Sequence, residues 1–253
     1  AQLQREDAAA RRGRLKIFFG SNAGVGKTFA MLVAAHAARE QGRAVRIGVV
    51  ETHGRADTEK VAGGLERLPL RALSHRGQAL SEFDLDAALA WGRDHPGGVL
   101  LLDELAHSNA PGSRHTKRWQ DVHELLAGGV DVWSTLNVQH LESLNDIVGG
   151  ITGIRVRETV PDKVFDEADE VVVVDLPPDE LLQRLKEGKV YLPQQGDDRA
   201  ERAARNFFRK GNLLALRELA LRRTADRVDD QMQAYRRERV ERGQGAVWRN
   251  RES

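Results

Sequence analysis

The stretch Gly20-Ser21-Asn22-Ala23-Gly24-Val25-Gly26-Lys27-Thr28 constrains this chain most, because strand-like apolar residues lead into it and a helical pattern leaves it. Glycines let successive backbone N–H groups crowd round a phosphate. Lys27 has the reach for the β and γ oxygens, and Thr28 has a hydroxyl for Mg²⁺. In the usual spelling, G-x-x-x-x-G-K-[ST], the first glycine falls where this chain has Ser21. Gly20, one residue earlier, and Gly24 are candidates to restore the tight turn. The plain alternative is a Gly-rich turn with a chance Lys-Thr pair.

The flanking pattern fits a phosphate loop. Arg14 to Phe19 reads as a buried strand, and Thr28 to Glu40 as a helix with Phe29, Leu32, Val33, His36 and Ala37 on one face and Gly42 closing it. Val45 to Val50 is a second strand, ending in Glu51-Thr52-His53-Gly54-Arg55. In an open parallel sheet ligands collect at the carboxyl ends of strands, where Arg55 can face a phosphate and Glu51 or His53 can position a water. Equally, this is a turn capping a helix from Asp57 to Leu68.

A further helix, Asp84 to Arg93, stops at His95-Pro96-Gly97-Gly98, and Val99-Leu100-Leu101-Leu102-Asp103-Glu104 follows. Four apolar residues ending in paired carboxylates have the form of a Walker B strand, in which Asp103 takes Mg²⁺ and Glu104 orients or deprotonates a nucleophile. Alone this pattern is common; after Gly26-Lys27-Thr28 it completes a Mg-nucleotide site. The Pro-Gly-punctuated loop from Leu105 to His115 offers His107, Ser108, Asn109, Arg114 and His115 as γ-phosphate sensors or partner contacts. Arg118 to Leu126 reads as a helix and Val130 to Leu136 as a strand. Asn137 and Gln139, just after that strand, stand where a polar γ-phosphate sensor sits in phosphate-loop proteins, although Asn137 equally suits a helix N-cap.

Glu170 to Asp175 reads as another buried strand, and Pro177-Pro178-Asp179-Glu180 opens a helix that runs to Lys186 and stops at Gly188. Strands alternating with helices imply an α/β fold with a largely parallel sheet. Beyond Gln194-Gln195-Gly196-Asp197-Asp198 the pattern is helical only: Arg199 to Phe208, then a helix capped by Asn212 whose Leu213, Leu216, Leu219 and Ala220 dock on the domain. From Asp226 the Arg-rich sequence reads as a linker through Gly243-Gln244-Gly245. Residues 199–253 hold 15 Lys/Arg and 8 Asp/Glu, a balance of +7 that leaves −6 for the residues before them. Such an end contacts nucleic acid or anionic lipid in some proteins and is a solvated helix face in most.

Cys 0 removes disulfides, thiolate metal sites and cysteine nucleophiles together, which suits a reducing compartment. No apolar run approaches the ~20 residues needed to cross a bilayer, so a soluble chain is expected. The start, without Met, basic region or apolar segment, reads as that of an excised fragment rather than a secretory signal.

As a set these motifs resemble one family, the cytoplasmic N-terminal domain of the osmosensitive potassium-channel sensor histidine kinases, KdpD. The matching segments are Phe18 through Thr28, Glu51 to Arg55, Asp103 through His115, Thr135 to Glu142, Arg157 to Asp162, Asp175 to Glu180 and Leu213 to Asp229. Ser21 agrees with a family that tolerates a small residue there. The resemblance implies a P-loop NTPase three-layer α/β fold over residues 1–195, with a basic helical extension and linker over 196–253. It implies ATP and Mg²⁺ as ligands, in a cytoplasmic part of a bacterial inner-membrane protein. In that family a stress-protein-like domain, four membrane helices and a kinase core follow. The core autophosphorylates on histidine and passes the phosphoryl group to the response regulator KdpE. The expected function is therefore a regulatory ATP site that biases kinase against phosphatase output. The alternative is an ATPase or protein serine/threonine kinase, with Glu104 as base and Arg55 or Arg114 neutralising charge. A nucleic-acid or lipid contact of the basic end is the weaker third reading.

Overall fold

The computed structural model describes residues 12–75, 78–190 and 206–241. Five parallel strands form one sheet in the order β2, β5, β6, β1, β7: β1 (Leu15–Gly20), β2 (Val45–Val49), β5 (Val99–Leu102), β6 (Asp131–Asn137) and β7 (Glu170–Val173). Side chains alternate across a pleated strand, and here both faces are covered. Phe18, Ile47, Leu101 and Trp133 turn to the face covered by α1 (Lys27–Glu40) and α2 (Ala56–Ala62). Ile17, Phe19, Leu100, Leu102 and Val132 turn to the other, over α3 (Leu85–Asp94), α4 (Arg118–Ala127), α5 (Asn145–Thr152) and α6 (Asp162–Asp166). The molecule is thus the three-layer α/β fold with a parallel sheet that the sequence implies.

The strand order has a functional consequence. β6 lies between β1, which carries the phosphate loop, and β5, which carries Asp103, so the end of β6 is inserted between loop and carboxylates. A two-stranded antiparallel hairpin, β3 (Arg71–His75) and β4 (Gln78–Glu82), stands apart from the sheet and had no strand expectation in the sequence.

Several expectations are corrected. The buried stripe of α1 is Lys27, Met31, Leu32, Ala35 and Ala38, whereas Phe29 and Val33 are exposed. Helix α2 ends at Ala62 rather than Leu68, because Ile47 N and O bond Glu66 O and Leu68 N and draw the chain back to the sheet edge. β7 is an edge strand, partly exposed rather than fully buried. Asn212 is not the N-cap of this helix: α8 (Lys210–Glu241) begins before it, and its side chain donates to Asn206 O. The stretch from Asp226 to Glu241 continues this helix instead of forming a linker.

Leu213, Leu216 and Ala220 of α8 are buried against the body, as expected; Leu219 is partly buried. Arginines fasten the same side. Arg217 pairs with Asp175, Arg223 pairs with Asp162 and Asp166 and lies over the Phe165 ring, and buried Arg227 donates to the carbonyls of Phe165 and Ala168. Part of the basic balance therefore docks the helix. The division at 195/196, the helix over 199–205, the linker at 243–245 and the reading of residues 1–11 lie outside the described residues. Among the described residues, no helix is long and apolar enough to cross a membrane.

Candidate functional site

The strand ends converge on a cavity of about 580 Å³. Ala23, Gly24, Gly26, Lys27 and Thr28 line it, while Gly20, Ser21, Asn22 and Val25 are buried beneath them. Gly24 and Gly26 take φ values of +87° and +104°, which L side chains rarely adopt, and a Cβ on Gly24 would strike Val190. Gly26 stands at the N-cap of α1, so the first free N–H groups of that helix point at the cavity, where its dipole favours an anion. Arg184 of α7 (Pro178–Lys186) donates to Gly24 O at 3.4 Å.

Lys27 is buried, its Nζ donating to Asn22 O at 2.9 Å, and burial outweighs Asp103 and Glu104 in pushing its pKa down to about 8. Asp103 is almost wholly inaccessible. It accepts from Thr28 Oγ1 at 3.1 Å, from Glu51 N at 3.2 Å and from Thr135 Oγ1, yet burial still raises its pKa. Thr28 and Asp103 thus meet as a hydroxyl and carboxylate that suit an octahedral, oxygen-loving cation. The side-chain oxygens of Asn137 and Gln139, both lining the cavity, are buried without a hydrogen-bond partner, as are both amide atoms of Asn22. Orphaned polar atoms beside an ammonium, a helix N-terminus and a metal-type pair fit a Mg-nucleotide.

Glu104 follows at the mouth with φ +58°, an uncommon conformation for a residue with a side chain. Its N–H donates to Thr135 Oγ1 at 3.1 Å, and its carboxylate lies 3.7 Å from His53 Nε2. That contact lowers the Glu104 pKa and raises that of His53. His53 itself sits at φ +50°. Arg55 combines both sequence readings of its turn, lining the cavity while occupying the N-cap position of α2; burial lowers its pKa.

The loop after Glu104 divides. His107 lines the cavity and bonds Glu82, whereas Asn109 turns to Asp121, Ser108 accepts from Lys117, and Arg114 and His115 both turn to Glu124. Arg114 also pairs with Asp86, so the structure does not bring this charge-neutralising candidate to the cavity.

Two residues absent from the sequence candidates hold the site. Thr135, a buried hydroxyl near the end of β6, braces both Asp103 and Glu104. Arg118, only 3% exposed, donates to Asp103 O at 2.6 Å and reaches Glu82 at 3.5 Å. Glu82 also accepts from Ala110 N, Phe83 N and His107; burial alone would raise its pKa, but these contacts bring it down to about 2. A carboxylate whose folded pKa lies below its unfolded value adds stability above about 4.5, lost as pH falls towards 2. Glu82→Gln should therefore cost about 3 kcal/mol at pH 7, and urea unfolding should find the gap to wild type closing at acid pH.

The cavity continues past Glu104 to an apolar wall of Ile154, Val156, Phe207 and Phe208, the last two just before α8.

The family model described as the osmosensitive K⁺ channel His kinase sensor domain, KdpD, matches residues 11–228. The sensor protein KdpD of Escherichia coli K12 is 62% identical over 252 residues, 100% of this chain and 27% of that protein. Its namesake in Clostridium acetobutylicum is 52% identical, over 93% of this chain and 25% of the relative, and that of Mycobacterium tuberculosis H37Rv is 47% identical, over 98% and 27%. The chain therefore spans about a quarter of the length of these relatives.

Proposed function

The chain belongs to the KdpD sensor-domain family, and from that premise we propose that it is a regulatory Mg-ATP-binding domain of a membrane sensor histidine kinase of the potassium system. The parent, on this reading, lies in the bacterial cell membrane with this domain in the cytoplasm and phosphorylates the response regulator KdpE. The observation that carries the proposal is that one cavity is lined both by Lys27, Thr28, Asp103 and Asn137 and by Phe207 and Phe208, which precede α8. The loop amides and Lys27 hold the β- and γ-phosphates, and Thr28 and Asp103 hold Mg²⁺, which would neutralise charge on the phosphate oxygens. The side-chain NH₂ groups of Asn137 and Gln139 are donors for the γ-phosphate, and their orphaned oxygens would accept from water brought with the Mg-nucleotide. A ligand that favours one setting of the aromatic wall shifts the population of α8 orientations, and with it kinase against phosphatase output. In the full-length protein in vesicles, Lys27→Ala should change the ratio of autophosphorylation to regulator dephosphorylation. An unchanged ratio would sink the regulatory reading.

One observation favours a second reading, an ATPase or protein serine/threonine kinase. Glu104 is held in a strained backbone at the cavity mouth, where a general base stands, and Arg55 is in place to neutralise charge. On this reading the Glu104→Gln variant of the purified chain should lose at least about 100-fold in ATP turnover while binding ATP normally. Turnover that is negligible in the wild type leaves the sensor reading alone.

A further inference from the structure

Helix α8 has two opposed faces. One, through Leu213, Leu216, Ala220 and Arg227, is buried against the body; the other repeats an apolar residue every seventh position, Leu214, Leu221, Val228 and Tyr235, each about half exposed. Ala225 and Met232, also exposed, fall four residues after Leu221 and Val228. A seven-residue apolar repeat, with alternating steps of three and four, is the seam of a coiled coil. Its period suits a supercoiled helical partner rather than a flat surface. Leu214 and Leu221, with Gly211, Ala215, Arg217, Glu218 and Arg222, line a hollow on this face, the kind of hole a facing helix fills; Glu218 is the charged member of the seam, in the repeat position of Ala225 and Met232. From Asp229 to Arg239 every described side chain is exposed or partly exposed, and a helix end carrying its own seam off the body leaves that seam in water.

We propose that this seam pairs with that of a second copy of the chain, in antiparallel orientation. The flanking charges choose the occupant and the direction. In an antiparallel pair with Ala225 opposite Val228 and Leu221 opposite Met232 of the other copy, Arg222 lies beside Asp229 and Arg217 beside Glu238. Two-fold symmetry makes each pairing twice. A parallel, in-register pair instead sets Arg217 against Arg222, a like-charge contact, and matches no opposite charges. The arginines already in use remain compatible: Arg217 holds Asp175 and Arg222 pairs with Glu218 along its own helix, and both lie beside the seam. The buried face carrying Leu216 and Ala220 points away from it, so the two bodies stand on opposite sides of the helix pair.

Sedimentation velocity of the 253-residue chain up to about 100 μM should give a concentration-dependent dimer. Val228→Glu should return it to monomer with unchanged helical circular dichroism. Asp229→Arg should weaken the dimer at least about tenfold by opposing Arg222, and adding Arg222→Asp should restore it, because the exchanged charges again pair. As the chain has no cysteine, Arg237→Cys takes a single spin label; antiparallel pairing sets residue 237 opposite residue 216 of the other copy. The two labels are then about 30 Å apart along the axis, against about 20 Å in a parallel pair. A monomer at every concentration, a dimer indifferent to Val228→Glu, a double exchange that fails to rescue, or the shorter label distance would each overturn the proposal.

Discussion

Replacing Lys27 by Met should abolish ATP binding and, without nucleotide, make the protein more stable. Both follow from the placement of one ammonium. It is buried, it donates to Asn22 O, and burial has lowered its pKa from 10.5 to about 8. The charged form therefore costs the native state up to about 3 kcal/mol at neutral pH, which an apolar chain of similar length relieves. Triphosphate supplies the missing compensation through charge-assisted hydrogen bonds of about 1.5–3 kcal/mol each, so losing two of them lowers affinity by about 10² to 10⁴-fold. Calorimetric titration measures the first effect, and urea unfolding with and without Mg-ATP measures both. Wild type should gain about 2.7 kcal/mol at a hundred times Kd, and the variant nothing at the same concentration. Unchanged affinity would mean that the loop does not grip phosphate, and a less stable nucleotide-free variant would mean that burial of the ammonium is not the dominant cost.

What the sequence discloses and what it hides divides along the range of the interactions. The loop from Gly20 to Thr28 and the strand ending in Asp103 are local patterns, in which backbone freedom, apolar run and polar stop are written in consecutive residues, and the structure brings them together. The insertion of β6 between β1 and β5 depends on pairing between distant segments, and no local pattern encodes it. Thr135 is silent in the sequence for that reason: a hydroxyl in a strand becomes informative only once β5 is its neighbour. Spacing alone puts Phe29 and Val33 on the buried face of α1, but Thr28 faces Asp103, and this sets the rotation of the helix so that they fall on the outside. In β3 and β4, Leu73 opposite Leu80 is the lone aliphatic cross-strand pair apart from the alanines, too little alternation to signal a hairpin. Locally, Asn212 reads as the start of helix α8 and the charge-rich run from Asp226 as its end, whereas Arg223 and Arg227 are drawn in by carboxylates and carbonyls near residues 162–168.

Arg118→Met should be the most damaging single substitution outside the phosphate loop, and its cost should come chiefly from the partner it abandons. Its guanidinium is enclosed between the carbonyl of Asp103, that of Glu104 and the carboxylate of Glu82, with Nε lacking a partner. Burial lowers its pKa, against the pull of Glu82, so the charge is held there at a cost that its neighbours offset. Removing one member of a buried pair leaves the other uncompensated, at about 3–5 kcal/mol, whereas replacing both by neutral groups is often close to neutral. The double variant Arg118→Met with Glu82→Gln should therefore lose less than the sum of the two single losses, a coupling that a double-mutant cycle in urea reads directly. The same substitution frees the Asp103–Glu104 carbonyls and with them the left-handed turn that aims Glu104 at the cavity mouth. ATP turnover, where present, should then fall in kcat with KM little changed, since Lys27 and Thr28 keep their places. Additive losses would show that Arg118 and Glu82 act independently, and an unaltered kcat alongside the stability loss would confine Arg118 to packing.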